Sequence, residues 1–452
     1  MKSELWLDKR FRDRPDAGLQ GRNPASALRR WQILKLAETI DWAGHNSAFF
    51  QRAIEPRLAA ATVAGLKKAA EGDEAAAGKL LAALPFCTPK QLAADPGLFL
   101  AVGQDEVAGV VSVPSSGTSG PAKRIFSTDA DLEETVTFFE YGLRFLVEPG
   151  ADRLALAMSP ARPGNVGDLL ERALKRLNIP FLAHGFAPAP GGEEEWLAEL
   201  IDWRPSCLVG VPPQMLALSR QRRAAELGRS LKTILLSGDV ADEALVAELE
   251  KNFGCRVFRH YGSTETGLGG AVECGQRLWP HLRDDLWVEI VDEEGRPLPD
   301  GPGEIVITPL TRRGMPLLRY RSGDEGELLN EACPCGSLMP RLKVFGRLAD
   351  RFRLPGGRLL RASDFEAPLL ALPFVRDYRP AYRPGKPPLL RLTLALTEDH
   401  PAEAVRLAEE SIKCWLGREA DQLTVQIGIW SGENESGVKA LGGKRHLEWL
   451  ND

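Results

Sequence analysis

The sequence predicts an α/β protein. Its large N-terminal domain holds mostly parallel sheet with flanking helices plus a small β unit, and a small α+β C-terminal domain follows. Three observations predict this. Between Arg153 and Thr264, short apolar runs alternate with amphipathic stretches. After Gly267, strand segments punctuated by Gly, Pro and Asp replace them. Beyond about Arg347, strand, helix and strand follow one another again.

Taken in order, residues up to about Pro85 read as helical, as in Ser26–Trp42 and Glu55–Ala70, where Leu, Ile and Ala return at helical spacing. Val107–Pro114 is a valine-rich strand that runs directly into a Gly/Ser-rich loop. Strands are expected at Leu154–Met158, Phe181–Ala183, Cys207–Val211, Thr233–Ser237 and Arg256–Phe258. Between them lie helices such as Val166–Leu177, whose Leu169, Leu170, Ala173 and Leu174 share one face. Such alternation implies a mainly parallel sheet covered on both sides. The β unit should use Leu286–Asp292, Gly303–Thr308, Leu317–Tyr320 and Glu325–Leu329. A boundary is expected after residue 346, giving domains 1–346 and 347–452. The second is read as strand Leu389–Leu396, helix Glu403–Leu416 and strand Leu423–Trp430.

The 452 residues suffice for more than one domain. With 44% hydrophobic and 26% charged residues, the composition is that of a globular protein. A formal charge of -5 argues against nucleic acid or an acidic membrane as partner. No apolar run is long enough to span a bilayer, and Met1–Leu5 opens no secretory signal. Seven dispersed cysteines do not suggest a disulfide framework, so a reduced, cytoplasmic setting is the simplest reading.

Four segments carry chemistry. Ser115-Ser116-Gly117-Thr118-Ser119-Gly120-Pro121-Ala122-Lys123 follows a strand, and its small residues let backbone N–H groups approach a polyphosphate. It lacks P-loop spacing, and taken alone such a loop is more often a flexible turn. Tyr261-Gly262-Ser263-Thr264-Glu265 brings an aromatic ring, a hydroxyl and a carboxylate to a strand's carboxyl end, where open α/β sheets bind ligands. Tyr320-Arg321-Ser322-Gly323-Asp324 and Phe345-Gly346-Arg347 offer an aspartate and an arginine suited to ribose hydroxyls. Separately, each reads as easily as a turn Asp and a surface Arg.

In order and wording, the four together resemble the adenylate-forming superfamily of acyl-CoA ligases, peptide-synthetase adenylation domains and luciferases. The nearest likeness is to its phenylacetate–CoA ligase-like branch, supported by Val272-Glu273-Cys274, Met315–Tyr320 and Cys333-Pro334-Cys335-Gly336. The resemblance covers roughly residues 80 to 450. It implies that Ser116, Gly117, Thr118, Ser119, Gly120 and Lys123 cradle the ATP phosphates, and that Tyr261 with Gly262 stacks on adenine beside Ser237, Gly238 and Asp239. It further implies that Thr264 touches the α-phosphate, Glu265 binds Mg²⁺, and Asp324 and Arg347 hold the ribose. Gly442-Gly443-Lys444 resembles the family's terminal G-K element, so Lys444 is the expected catalytic lysine, with Lys439 in reserve.

The implied activity is ATP-dependent activation of a carboxylic acid, aromatic or arylalkanoic first, followed by thioester formation with coenzyme A. In the family the C-terminal domain is mobile and rotates about a hinge that usually carries Asp or Lys. Here that position is Ala349, with Asp350 next, while Gly356-Gly357-Arg358 fits the loop that meets coenzyme A. The departure at Ala349 bears on the coenzyme A half-reaction more than on adenylation. Two other readings stay open: adenylyl transfer without coenzyme A, as in deazaflavin-adenylylating synthetases, and a nucleotide-binding protein without catalysis.

Cys274, His281, Cys333 and Cys335 supply three thiolates and an imidazole, a complete tetrahedral set for structural Zn²⁺. Related phenylacetate-type ligases resemble this arrangement. His260 beside Tyr261 is read as structural, because an ionised carboxylate substrate needs no general base. His184 and Trp196, Trp203 and Trp279 are read as packing groups. The partners expected are a carboxylic acid, ATP and coenzyme A; a homodimer is compatible with the sequence, which carries no motif for it.

Overall fold

Local signals set the helices of the N-terminal region. Asn23 accepts the Ala25 N–H and Pro24 occupies the first turn of the helix Pro24–Asn46, whose Leu28, Ile33, Leu36 and Ile40 turn inward. Thr88 and Gln91 form a reciprocal cap at Pro89–Ala94, and Thr128 with Asp131 does the same for Asp129–Leu146. The computed structural model describes residues 6–113, 122–158, 162–185, 192–329, 331–396, 401–430 and 445–450. Among the described residues no helix is long and apolar enough to cross a membrane.

The chain forms two compact units. The first comprises Met1–Pro149, Ala161–Ile179 and His260–Val344; the second comprises Gly150–Pro160, Pro180–Arg259 and Phe345–Asp452. In the first unit, Gly109–Val113 and Lys123–Ser127 pair antiparallel, with Val113 opposite Lys123, so they bracket the Ser/Gly-rich connection. The antiparallel strands Leu286–Val291, Gly303–Pro309 and Tyr320–Leu329 follow, the last two with a register shift between Glu304 and Val306. Ala271, Leu282, Leu286, Ile290, Ile305, Ile307 and Leu342 close their apolar core.

In the second unit, Leu154–Ala157, Phe181–Ala183, Cys207–Gly210, Thr233–Leu236 and Arg256–Arg259 pair in parallel. This is the expected parallel arrangement. Their apolar residues pack on the helices Glu193–Trp203, Pro212–Ser219 and Glu243–Phe253. A further sheet of Val375–Arg383, Leu389–Leu396, Thr424–Ile429 and Glu448–Trp449 packs on the helix Pro401–Leu416.

Two strand expectations need correction. Leu317 is irregular, Leu318 and Arg319 form a turn, and one strand runs from Tyr320 to Leu329, because Gly323 at φ 73° and a register shift opposite Glu304 carry the Asp-containing motif without ending the pairing. The strand Val375–Arg383 was missed. Its proline and four charged residues read as loop, yet Pro380 fits because the strand's second side is paired only at Ala381 and Tyr382 among the described residues.

Candidate functional site

The strand Arg256–Tyr261 delivers the first group of functional side chains. Its early residues pair in parallel with Thr233–Leu236, while His260 and Tyr261 pair antiparallel with Val272 and Ala271. The chain then turns sharply. A Cβ on Gly262 would lie 2.3 Å from the Leu268 carbonyl oxygen, so only glycine fits there. A short 3-10 turn, Thr264–Thr266, places Thr264 at the half-buried edge and turns Glu265 inward, leaving it 5% exposed.

Glu265 meets groups from two distant segments. Its carboxylate forms an ion pair with the Lys123 ammonium and accepts the Tyr320 hydroxyl at 2.9 Å; Lys123 Nζ also lies 3.3 Å from that hydroxyl. Burial alone pushes the Glu265 carboxyl up, but the Lys123 charge and the hydrogen bonds outweigh it and hold it below its ordinary value. Tyr320 was quoted in the sequence motif without a role. Burial to 2% exposure and contact with both charges make it their organiser.

Nearby in the same unit, Tyr261 packs partly against the β core and donates its hydroxyl to Asp324 Oδ2 at 2.9 Å. Asp324 is itself oriented by Ser322, whose Oγ accepts the Asp324 N–H at 3.0 Å and donates to the Ile305 carbonyl at 2.6 Å. Lys123, Tyr261, Gly262, Thr264, Glu265 and Asp324 therefore all belong to one unit. Ser116, Gly117, Thr118, Ser119 and Gly120 lie outside the described residues, as do Lys439 and Lys444.

Ser237, Gly238, Asp239, Arg347 and Gly357 belong to the second unit. Ser237 donates its N–H to the Gly210 carbonyl at 3.0 Å. Asp239 accepts the Val240 and Arg445 N–H groups at 2.9 and 2.8 Å. Arg347 ends the strand Arg341–Arg347, and Gly357, exposed, occupies the turn between Arg351–Arg353 and Leu359–Arg361. Ala349 is exposed, and the neighbouring Asp350 is buried against the Leu447 N–H at 3.0 Å.

The Cys/His set converges. The ligand atoms of Cys274, His281, Cys333 and Cys335 all lie within 4.8 Å of one another. Cys274 Sγ and Cys333 Sγ are 3.7 Å apart, and Cys335 Sγ is 3.5 Å from His281 Nε2. Zn–S bonds of about 2.3 Å imply a tetrahedral edge near 3.8 Å, so the spacing suits zinc. His281 Nδ1 donates to the Met339 carbonyl at 2.8 Å, which leaves Nε2 free to act as ligand. The Gln276 and Ser337 N–H groups point at Cys274 and Cys335 sulfurs at 3.4 Å. Asp8 accepts from the Ser337 hydroxyl and the Leu338 N–H, tying the N-terminal helix Trp6–Arg12 to this knuckle.

The histidines read as structural are packed and partnered. His260 is enclosed beside Phe138, and burial plus the nearby Arg283 charge lower its pKa to about 4. His184 pairs with Glu199 at 2.9 Å and tilts against Trp196. Sequence reasoning missed a buried ionic network in which Arg10 and Arg14 pair with Asp284 and Glu134 while Arg283 holds Asp285. No periodicity announces it, because its members come from two helices and loops far apart in the chain.

Known proteins similar to this chain are as follows. Residues 108–309 match the AMP-binding enzyme family. A phenylacetate-coenzyme A ligase of Thermus thermophilus is 33% identical over 294 residues, 62% of this chain and 63% of that protein. The chain thus aligns with somewhat less than two thirds of that relative's length. The Escherichia coli phenylacetate-coenzyme A ligase is 26% identical over 76% of this chain and 80% of its own. Among solved structures, a 2-hydroxyisobutyryl-CoA ligase in the postadenylation state shares the fold with a TM-score of 0.73 at 19% identity, covering 93% of this chain and 89% of that one. An anthranilate CoA ligase bound to anthranoyl-AMP shares it at 0.54 and 15% identity, over 76% and 68% of the two chains. Residues 108–309 thus match the AMP-binding enzyme family, and the chain is similar in sequence to phenylacetate-coenzyme A ligases.

Proposed function

We propose that this protein activates a carboxylic acid with ATP and passes the acyl group to coenzyme A, with an aromatic or arylalkanoic acid the first substrate to try. One observation carries the reading: Lys123, Glu265 and Tyr320, from three distant segments, meet in one buried charge cluster beside the Tyr261–Asp324 pair. Lys123 and Glu265 serve as each other's counter-ion. A Mg²⁺–triphosphate carries both signs of charge, so each residue can change partner without leaving a buried charge unpaired.

In the first step a substrate carboxylate oxygen attacks the α-phosphorus, the bond to the β-phosphate oxygen breaks, and pyrophosphate leaves. Ser116, Gly117, Thr118, Ser119, Gly120 and Lys123 hold the departing phosphates, Thr264 the α-phosphate, and Lys444 offsets the developing charge. Glu265 would hold Mg²⁺, which would supply further neutralisation of charge at the triphosphate. Tyr261 and Gly262, with Ser237, Gly238 and Asp239, receive the adenine; Asp324 and Arg347 hold the ribose. In the second step the coenzyme A thiolate attacks the acyl carbon and AMP leaves with both electrons of its bond. Residues 347–452 act as the mobile domain, and Gly357 sits in the loop that meets coenzyme A.

Cys274, His281, Cys333 and Cys335 would hold a structural Zn²⁺, which would tie together the segments between Glu265 and Asp324. A reduced cytoplasm suits its three thiolates. ATP–pyrophosphate exchange across a panel of carboxylic acids, with and without coenzyme A, tests the whole. Acid-dependent exchange and a coenzyme A-dependent thioester support it. An adenylylated product that persists with coenzyme A present favours adenylyl transfer instead, and ATP binding without exchange leaves no enzyme.

A further inference from the structure

The turn that carries Glu265 is held by side chains that the nucleotide chemistry does not use. Two of its carbonyls find donors elsewhere in the same unit: Thr266 O accepts from Arg283 Nη2 at 3.1 Å, and Gly267 O accepts from the Thr135 hydroxyl at 3.1 Å. Arg312 comes closer still. A Cβ on Gly267 would lie 2.7 Å from Arg312 Nη1, and the backbone there has φ 85°, so glycine is what admits the guanidinium. The other arm of the same fork, Nη2, donates to Ser127 Oγ at 2.6 Å. Ser127 ends the strand Lys123–Ser127, whose first residue is Lys123. One planar group therefore touches both the strand that bears the ammonium and the turn that bears the carboxylate.

Arg312 is 6% exposed, and burial holds its pKa below the ordinary arginine value against the pull of Asp131 and Asp285. An apolar side chain of similar volume would be cheaper to bury; what the guanidinium adds is a rigid fork that fixes two segments against each other. Neither acid needs Arg312 as its counter-ion. The Asp131 carboxylate accepts the Thr128, Arg313 and Gly314 N–H groups at 3.0, 2.8 and 2.9 Å. Asp285 is paired with Arg283 and accepts the Thr311 hydroxyl at 2.9 Å. The place of Arg312 follows from what its fork joins.

We propose that Arg312 is a positioning residue for the ATP site: by joining Ser127 to the Thr264–Gly267 turn, it sets how Lys123 stands to Glu265 and so how well that pair fits a Mg²⁺–triphosphate. Arg283, paired with Asp285, steadies the same turn. The proposal rests on the ligase reading for its chemistry. It has Arg312 act through Lys123 and Glu265, without touching the nucleotide itself.

The test uses the full-length protein. Arg312→Met nearly keeps the length of the side chain and strands no acid. Its calorimetric affinity for Mg²⁺–ATP should weaken at least about fivefold, and acid-dependent pyrophosphate exchange should fall at least about tenfold in kcat/KM for ATP, because a small displacement of the holding groups is costly. The KM for the acid should stay within about twofold of wild type. Ser127→Ala removes the tie and leaves every charge in place. It should weaken Mg²⁺–ATP binding at least about twofold, and adding it to Arg312→Met should cost nothing further, since the two act through one bond. Unchanged affinity in either single variant overturns the proposal. So does a full second loss in the double variant, or an equal rise of KM for acid and ATP, the marks of a merely structural role. Should Arg312→Met not fold, Ser127→Ala decides by the same criterion. Wild-type protein that binds Mg²⁺–ATP but shows no exchange for any acid sinks the ligase reading, and calorimetry still decides the role of Arg312.

Discussion

Lys123 and Glu265, 142 positions apart, are each other's counter-ion, and the Tyr320 hydroxyl bridges them. Because the folded Glu265 carboxyl sits below its ordinary value of 4.5, its stabilisation is present above that pH and is lost as pH falls through the lower folded value. Lys123→Met leaves burial as the dominant influence and pushes the carboxyl up. The variant should lose about 2–4 kcal/mol at neutral pH and unfold at a higher pH on acid titration. Urea unfolding at pH 7 and 5 checks this, and an unchanged acid midpoint contradicts it.

Lys444→Ala should abolish acid-dependent pyrophosphate release while leaving ATP binding within a few-fold, because the lysine is assigned to the transition state. Calorimetric binding beside an exchange assay separates the two effects. Near-normal release would disprove the assignment.

Cys335→Ser should reduce bound zinc from one per chain to near none and lower thermal stability, since three remaining ligands no longer close the site that joins Cys274 to Cys333 across 59 positions. Elemental analysis of purified wild type and variant is decisive. Wild-type protein without stoichiometric zinc removes the idea.

His260 is held neutral, its pKa depressed from 6.5 to about 4 by burial and by Arg283. A depressed histidine contributes stability that is full above its unfolded value and declines as pH falls from about 6.5 towards 4. His260→Gln should flatten that part of the stability profile by about 1–3 kcal/mol, the smaller end because the residue as a whole is only partly buried. The pH dependence of activity between 6.5 and 9 should be the same in both proteins. A histidine-like inflection near 6.5 that vanishes in the variant would instead give His260 a catalytic part.

Gly262→Ala places a Cβ 2.3 Å from the Leu268 carbonyl oxygen and 3.0 Å from His260 Cε1. Backbone must move, so the turn that carries Thr264 and Glu265 shifts. Exchange activity should drop by at least about tenfold, with about 1–3 kcal/mol of stability lost. Circular dichroism confirms that the rest of the fold survives.

The parallel strands, and the placing of Tyr261–Glu265 at a strand end, were legible because their information is local. A strand followed by small residues, or Tyr-Gly-Ser-Thr-Glu at a strand end, carries its meaning within a few positions. Val375–Arg383 was not legible, since its arginines and proline hide an alternation that only its neighbours Leu389–Leu396 and Glu448–Trp449 make stable. Asp239 looked like a pocket residue alone, and its bond to Arg445 spans 206 positions.

The amino-acid order by itself determined the class of fold and the likeness to AMP-binding enzymes, because those follow from short-range geometry and side-chain chemistry. Tertiary structure alone decided that Tyr320 bridges Lys123 and Glu265, that three cysteine sulfurs and an imidazole converge, and that Arg445 meets Glu366, Asp377 and Asp239. Each of these is a balance of burial against charge, and that balance exists only once distant segments have excluded water from the same place.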